Sequence, residues 1–159
     1  MDQVPRLPLT CAPRRERLSR LGGGRWHRGG KVHGIRRPED RTVVVLGASP
    51  KPVRYSYQAV RLLHDKGFRV IPVHPKATRI DHIPVVHSLA DIGGPVDTLT
   101  LYIGPERVRT QVQAIVDLRP GRVILNPGTE SHALELALLQ ADIPYEAACT
   151  LVLLRTGQF

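Results

Sequence analysis

The run Thr42-Val43-Val44-Val45-Leu46 constrains this chain more than any other feature. It is mostly β-branched and shows no polar alternation, the pattern of a strand buried on both faces in a covered parallel sheet. The chain then turns through Gly47-Ala48-Ser49-Pro50-Lys51-Pro52. Helical spacing starts at about Ser56, with Tyr57, Val60, Leu63 and Gly67 on one face. Ser56 is the expected N-cap and Gly67 the expected stop. A strand over 68–73 follows, ended by Pro72 and Pro75. Strand, loop, helix and strand in about thirty residues make a β-α-β unit.

The pattern recurs downstream. Residues 97–103 read as a strand, and Pro105 stands where a helix accepts its first residue. Val108, Val112, Ile115 and Val116 supply that helix with an apolar stripe. Arg122-Val123-Ile124-Leu125 is a third buried strand, followed by Asn126-Pro127-Gly128-Thr129. A helix is expected over 130–141, capped by Thr129 and favoured at its start by Glu130, with a last strand over 145–148. Between the halves, 83–86 reads as a short strand and Ser88 as the cap of one turn through residue 92. The fold expected is α/β: a Rossmann-like parallel sheet of about five strands with helices on both faces.

Size and charge fix the rest of the organisation. The chain has 159 residues, enough for one ordinary domain. Its net charge of +9 is unevenly spread, because residues 1–41 hold 11 of the 23 Lys and Arg but 4 of the 14 Asp and Glu. The body is nearly neutral, which argues against nucleic acid as its partner. Residues 1–40 lack any sustained apolar period and are broken by Gly22, Gly23, Gly24, Gly29, Gly30 and Gly34. They read as a disordered basic extension, with a single domain over 41–159. An Arg/Gly arm using Trp26 to stack on nucleic acid and a transit peptide are competing readings. A dispensable extension, read from too early a start, is favoured. No apolar run reaches the ~18–20 residues of a membrane span, and no signal-peptide core opens the chain. Two cysteines, Cys11 and Cys149, build no disulfide framework, so a cytoplasmic setting is expected.

In sheets of this kind ligands sit outside the carboxyl ends of the strands. Gly47 lets backbone approach a ligand, and the next helix offers free N–H groups to a phosphate; a tight turn alone would also explain it. The loop lacks the dinucleotide G-x-G-x-x-G pattern, having Ser49 and Pro52 at the later glycine positions. At the end of the second strand, Val73-His74-Pro75-Lys76 offers a cation where NAD sites carry a carboxylate. A ribose bearing an extra phosphate suits that end, as in NADP or coenzyme A.

Gly47-Ala48-Ser49, Lys51, Arg54 and Ser56, followed by Gly67, Val70, Pro72, Val73, Pro75 and Lys76, resemble the CoA-binding protein family of small bacterial Rossmann-like proteins. Leu89, Asp97, Asn126-Pro127-Gly128 and Cys149 fit the same pattern, so the resemblance spans 42–159. That family is similar to the CoA-binding domain of succinyl-CoA synthetase α subunits and of ADP-forming acyl-CoA synthetases. The resemblance implies that Gly47, Ala48 and Ser49 cradle CoA phosphates, supported by Lys51, Arg54 and Ser56. It implies that the turn at Pro75-Lys76 lies by the adenosine 3′-phosphate, with Val73 also in the cofactor site. Tyr102, Ile103 and the two residues after them, Gly104 and Pro105, with Asn126, Pro127 and Gly128, would flank the pantetheine path. Residues 1–40 have no counterpart in the pattern, and 150–159 are less diagnostic.

Nothing in the sequence assembles a catalytic group. His64 and His132 fall on solvated helix faces, and His82 and His87 lack partners at metal-ligand spacing. His74 is either a surface histidine or a ligand contact. Cys149 reads as a small buried hydrophobe, or as a thiol near the functional edge. The larger synthetases use a phosphohistidine on a separate domain, for which this chain has no room. The expectation is therefore a non-catalytic binder of CoA or acyl-CoA, with neither catalytic residues nor a metal. An NADP-dependent oxidoreductase and a non-catalytic partner subunit of an acyl-CoA synthetase are the alternatives. A homodimer stays open. Deleting 1–40 should leave the thermal midpoint and ligand affinity nearly unchanged; a large loss of either would show that the extension docks on the domain.

Overall fold

The computed structural model describes residues 36–159. Most of the extension, including Cys11, Trp26, His27 and His33, lies outside the described residues, and so does its reading as disordered. The strands in chain order are β1 (Thr42–Leu46), β2 (Arg69–Val73), β3 (Arg79–Ile80), β4 (Ile83–Pro84), β5 (Thr98–Leu101), β6 (Arg122–Leu125) and β7 (Tyr145–Ala147). Five of them form one parallel sheet in the order β2-β1-β5-β6-β7. The chain winds outward in one direction to β2, then crosses back to build β5, β6 and β7 on the other side of β1. The switch point between β1 and β5 is where such sheets open a crevice.

Helices α1 (Tyr55–Asp65), α2 (Pro105–Leu118), α3 (His132–Gln140) and α4 (Thr150–Thr156) cover both faces. Val43 and Val45 of β1 point into the layer closed by Val60 and Leu63 of α1 and Leu154 of α4. Val44 and Leu46 point into the opposite layer, against Val108 and Ile115 of α2 and Leu134 and Leu138 of α3. Apolar residues on both sides of β1 are thus a requirement of the three-layer arrangement. The sheet and its helical layers match the sequence reading.

Several ends differ from it. Helix α1 begins after Arg54, and Ser56 is buried in its first turn without capping it. Gly67 does close it, at φ +85° with its N–H donated to His64 O. Helix α3 begins after Ser131, not at residue 130. Thr129 instead donates its hydroxyl to Asn126 O at 2.8 Å, and Glu130 accepts from Gly128 N–H at 2.7 Å. These two side chains hold the turn after β6 and are not spent on the helix start. The strand expected over 83–86 is only one arm of a hairpin, β3–β4, with Val86 bridging to Val73. Ser88 caps a 3-10 turn as expected, in a reciprocal pair with Asp91.

The hairpin tip is clipped to α1. Asp81, at φ +52°, accepts from Tyr57 Oη at 2.8 Å and Arg61 Nη1 at 2.7 Å. The Tyr57 hydrogen bond first, and then Arg61, hold the Asp81 carboxyl below its ordinary range. His82 Nε2 meets His64 Nε2 at 3.2 Å, so two histidines read as separate are neighbours. At the amino end of the domain, Arg36 pairs with Asp97, whose other oxygen accepts Thr42 N–H at 2.8 Å. Residues 36–40 therefore touch the domain although the sequence groups them with the extension, and a deletion that ends at residue 35 is the cleaner one. No helix among the described residues is long and apolar enough to cross a membrane.

The element without a sequence signal is α4. Its Thr150 N–H is taken by Asn126 Oδ1 at 2.8 Å, a cap supplied from 24 residues away. Past its other end, Phe159 packs edge-on against Phe68 at 5.2 Å and under the Arg122 guanidinium at 4.9 Å. Leu154 is 1% exposed between these anchors. Leu154→Ala should cost about 2–5 kcal/mol by transfer and cavity terms. Urea unfolding of the two proteins measures it, and a loss below ~1 kcal/mol would mean that α4 is not integral to the core.

Candidate functional site

Three adjoining hollows line the carboxyl edge of the sheet and meet at Ile103, just after β5. One, of about 320 Å³, lies beyond β2 between Val73, Pro75, His87, Leu89 and the first turns of α2. The middle one, of about 340 Å³, sits over the Gly47–Ser49 turn and the start of α1. The third, a groove of about 460 Å³, runs from Tyr102 and Ile103 past Asn126, Pro127 and Gly128 to Leu151, Val152 and Arg155 of α4. The β1/β5 switch point is thus the centre of a continuous, extended cleft.

Gly47 is fixed by the protein before any ligand arrives. It has φ +87°, and a Cβ there would lie 2.5 Å from Ile103 Cγ2 and 2.9 Å from the Tyr102 carbonyl. The N–H groups of Gly47 and Ala48 both donate to Val73 O at 3.1 Å. They tie β1 to β2 and are not free to cradle an anion. What faces the hollow is different: Ser49, the buried Ser56, and the first turn of α1, whose N-cap Arg54 offers no side-chain bond to its N–H groups. Those unpaired N–H groups carry the positive end of the helix dipole.

Cations complete the hollow. Lys51, Arg54 and Arg107 line it, no Asp or Glu does, and none of the three makes an ion pair among the described residues. His74 also lines it, its Nδ1 accepting from the N–H groups of Lys76 (3.1 Å) and Ala77 (2.9 Å). In the neutral ring the proton is therefore on Nε2. Such a cluster suits an anion with several charges.

The groove is mostly apolar, and its polar floor is already bonded. Asn126 is 4% exposed. Its Nδ2 donates to Thr100 Oγ1 at 2.7 Å and Leu101 O at 2.9 Å, while Oδ1 accepts Thr150 N–H. Asn126 O accepts Thr129 N–H at 3.0 Å, closing a turn in which Pro127 precedes Gly128 at φ +86°, as a type II turn requires. Burial pushes the Tyr102 phenol up to about 12, so it stays protonated. Thr150 lies close enough to oppose that rise slightly, yet no hydrogen bond to the buried Tyr102 hydroxyl closes. Cys149, a free half-buried thiol, forms part of the wall.

The structure brings the expected residues to this edge with one exception. Gly47, Ala48, Ser49, Lys51, Arg54, Ser56, Pro75, Tyr102 and Ile103 surround the middle hollow, Asn126, Pro127 and Gly128 the groove, and Val73 the hollow beyond β2. Lys76 is exposed and lines none of the three. The sequence reading did not single out Arg107, Tyr55, Leu151, Val152 or Arg155 for the site. Arg107 could have been found from its place in the first turn of a helix that follows a central strand. The α4 residues carried no local signal. The paired His64 and His82 lie on α1 and the hairpin, and the described residues contain no cluster of three or more metal-ligating side chains.

Comparison with known proteins finds relatives that share the fold. The profile of a family described as "CoA binding domain" matches residues 41–155. A crystal structure of an uncharacterized protein is similar to this chain at 39% identity and a TM-score of 0.70, covering 75% of this chain and 98% of that one. A protein of Thermus thermophilus is similar at 33% identity and a TM-score of 0.69, covering 75% of this chain and 90% of its own. Among curated proteins, the uncharacterized YneT of Bacillus subtilis (strain 168) is 29% identical over 68 residues. That match spans 43% of this chain and half the length of YneT.

Gly47 can be tested without a ligand. Gly47→Ala should lower the apo protein's stability by at least about 2 kcal/mol, from the left-handed backbone and the Ile103 clash together. An apo thermal midpoint equal to wild type would refute the packing role and return Gly47 to ligand approach alone.

Proposed function

The chain belongs to the CoA-binding domain family, and on that footing we propose that it is a non-catalytic CoA or acyl-CoA binding protein whose ligand lies along the carboxyl edge of the sheet. The observation that carries the proposal is the middle hollow, where the unpaired cations Lys51 and Arg54 and the uncapped start of α1 meet with no carboxylate. The CoA diphosphate is placed there, held by Lys51, Arg54, Ser49 and Ser56. The hollow beyond β2 takes the adenosine, as the corresponding strand end does for nucleotides in doubly wound sheets. Its apolar wall of Val73, Pro75 and Leu89 suits the face of a base, and Thr110 and Gln111 supply polar edges.

The remaining arm, pantetheine with or without an acyl group, follows Tyr102 and Ile103 into the groove. The groove's apolar lining favours the methylene and dimethyl portions of that arm. Asn126 supports this path by holding its floor rigid, since its amide is fully engaged by the protein. Gly47 and Ala48 act likewise for the diphosphate: they set the turn, and the side chains beyond them make the contacts. Lys76 at the exposed rim adds only a screened attraction.

Mass spectrometry of the small molecules released from the denatured, purified protein, followed by calorimetric titration with CoA and NADP, tests the assignment. CoA should be released or should bind in preference to NADP. The double change Lys51→Gln with Arg54→Gln should weaken CoA by about 10- to 100-fold and flatten the dependence on salt, as loss of two partly exposed phosphate contacts would. A clear preference for NADP, or no binding of either, overturns the proposal.

A further inference from the structure

We infer that Arg107 is the residue that reads a phosphate carried on the ribose of the bound nucleotide, and so sets this chain's preference for CoA over its dephosphorylated form. The inference rests on the CoA reading and adds to it a specificity determinant that the strand-end loops do not supply. Four residues are shared by the hollow beyond β2 and the middle hollow, namely Gly47, Pro75, Ile103 and Arg107. Arg107 is the charged one. A ribose lies between its base and its diphosphate, so a phosphate on that ribose falls at the junction that Arg107 borders.

The position is costly without an anion. Arg107 stands in the first turn of α2, where the positive end of the helix dipole disfavours a cation. Glu106 beside it is 3.6 Å from Arg109, so the nearest carboxylate on the helix pairs elsewhere. Lys51 and Arg54 line the same hollow, and neither hollow has an acidic residue in its wall. Like charges gathered with no counter-charge are relieved by a polyanion, and a planar guanidinium suits two oxygens of one phosphate. Lys76, the other candidate for this phosphate, lines neither hollow.

The experiment is calorimetric titration of wild type, Arg107→Gln, Arg107→Lys and Lys76→Gln with CoA and with dephospho-CoA, at two salt concentrations. The thermal midpoint of each variant is measured first; Arg107 is exposed, so its replacement leaves the fold intact. Wild type should bind CoA about tenfold more tightly than dephospho-CoA, within the range of one charge-assisted phosphate contact. Arg107→Gln should bring CoA down to the affinity of dephospho-CoA while leaving the latter within twofold of wild type. Arg107→Lys should restore part of the preference, and Lys76→Gln should retain nearly all of it. Equal loss of both ligands in Arg107→Gln would place Arg107 on the diphosphate and overturn the inference. So would equal wild-type affinities, or a preference abolished by Lys76→Gln. Each of those results leaves the CoA assignment standing, whereas a wild type that binds neither ligand overturns that assignment and this inference with it.

Discussion

The buried amide of Asn126 is the contact on which the carboxyl edge depends. Three parts of the chain end there, β5 at Leu101, β6 at Leu125 and the start of α4 at Thr150. Asn126 follows β6 directly, its amide bonds the other two, and the Thr100 and Thr150 hydroxyls close the network at 2.7 Å. Every bond is buried, so each unpaired partner would cost about 1–3 kcal/mol were the amide absent. An aspartate there could accept from Thr150 N–H but could not donate to Leu101 O. The side chain that best satisfies both a backbone carbonyl and a backbone N–H is an amide of this length.

This arrangement divides labour between backbone and side chains. The residues that make the cleft possible, Gly47, Ala48 and Asn126, direct their polar groups inward to Val73, Leu101 and Thr150. The side chains that line the cleft come from the next positions along the chain: Ser49, Lys51 and Arg54 before α1, Arg107 in the first turn of α2, and Leu151 and Val152 on α4. A strand end therefore sets the shape of the cleft, and the turn after it sets the chemistry. The same motif can hold its geometry while its specificity changes by substitution one or two residues downstream.

The sheet and its helical layers were legible because their signals are local and repeated. Val43 to Val45 could not alternate, Pro105 marked a helix start, and Val108, Val112 and Ile115 marked its face. What escaped notice depended on distant partners. Helix α4 is capped by Asn126 and held at its far end by Phe68 and Arg122, and none of these is its sequence neighbour. Thr129 looked like an N-cap because its side chain allows one, yet α3 starts only after Ser131, and the Thr129 hydroxyl donates back to Asn126 O to hold the turn. Lys76 followed the right strand, but the His74 turn beneath it carries it to the exposed rim. A residue's distance from a strand end in sequence was a good guide to the edge it occupies. It did not give the direction of the side chain.

The mismatch between the nearly neutral body and its cationic hollow follows from where the acidic residues are used. Asp81 holds the hairpin to α1, Asp97 takes Arg36 and the start of β1, and Glu146 pairs with Arg122 at 3.0 Å. Glu130 braces the turn after β6, and Asp91 caps its own 3-10 turn. Net charge averages these over the whole surface and conceals the imbalance. Around the middle hollow the cations are left without ion-pair partners among the described residues, and clustered charges of one sign focus a local field that net charge does not show. A nearly neutral domain can thus carry a cationic hollow without an excess of basic residues, provided that the acidic ones are committed to the fold elsewhere.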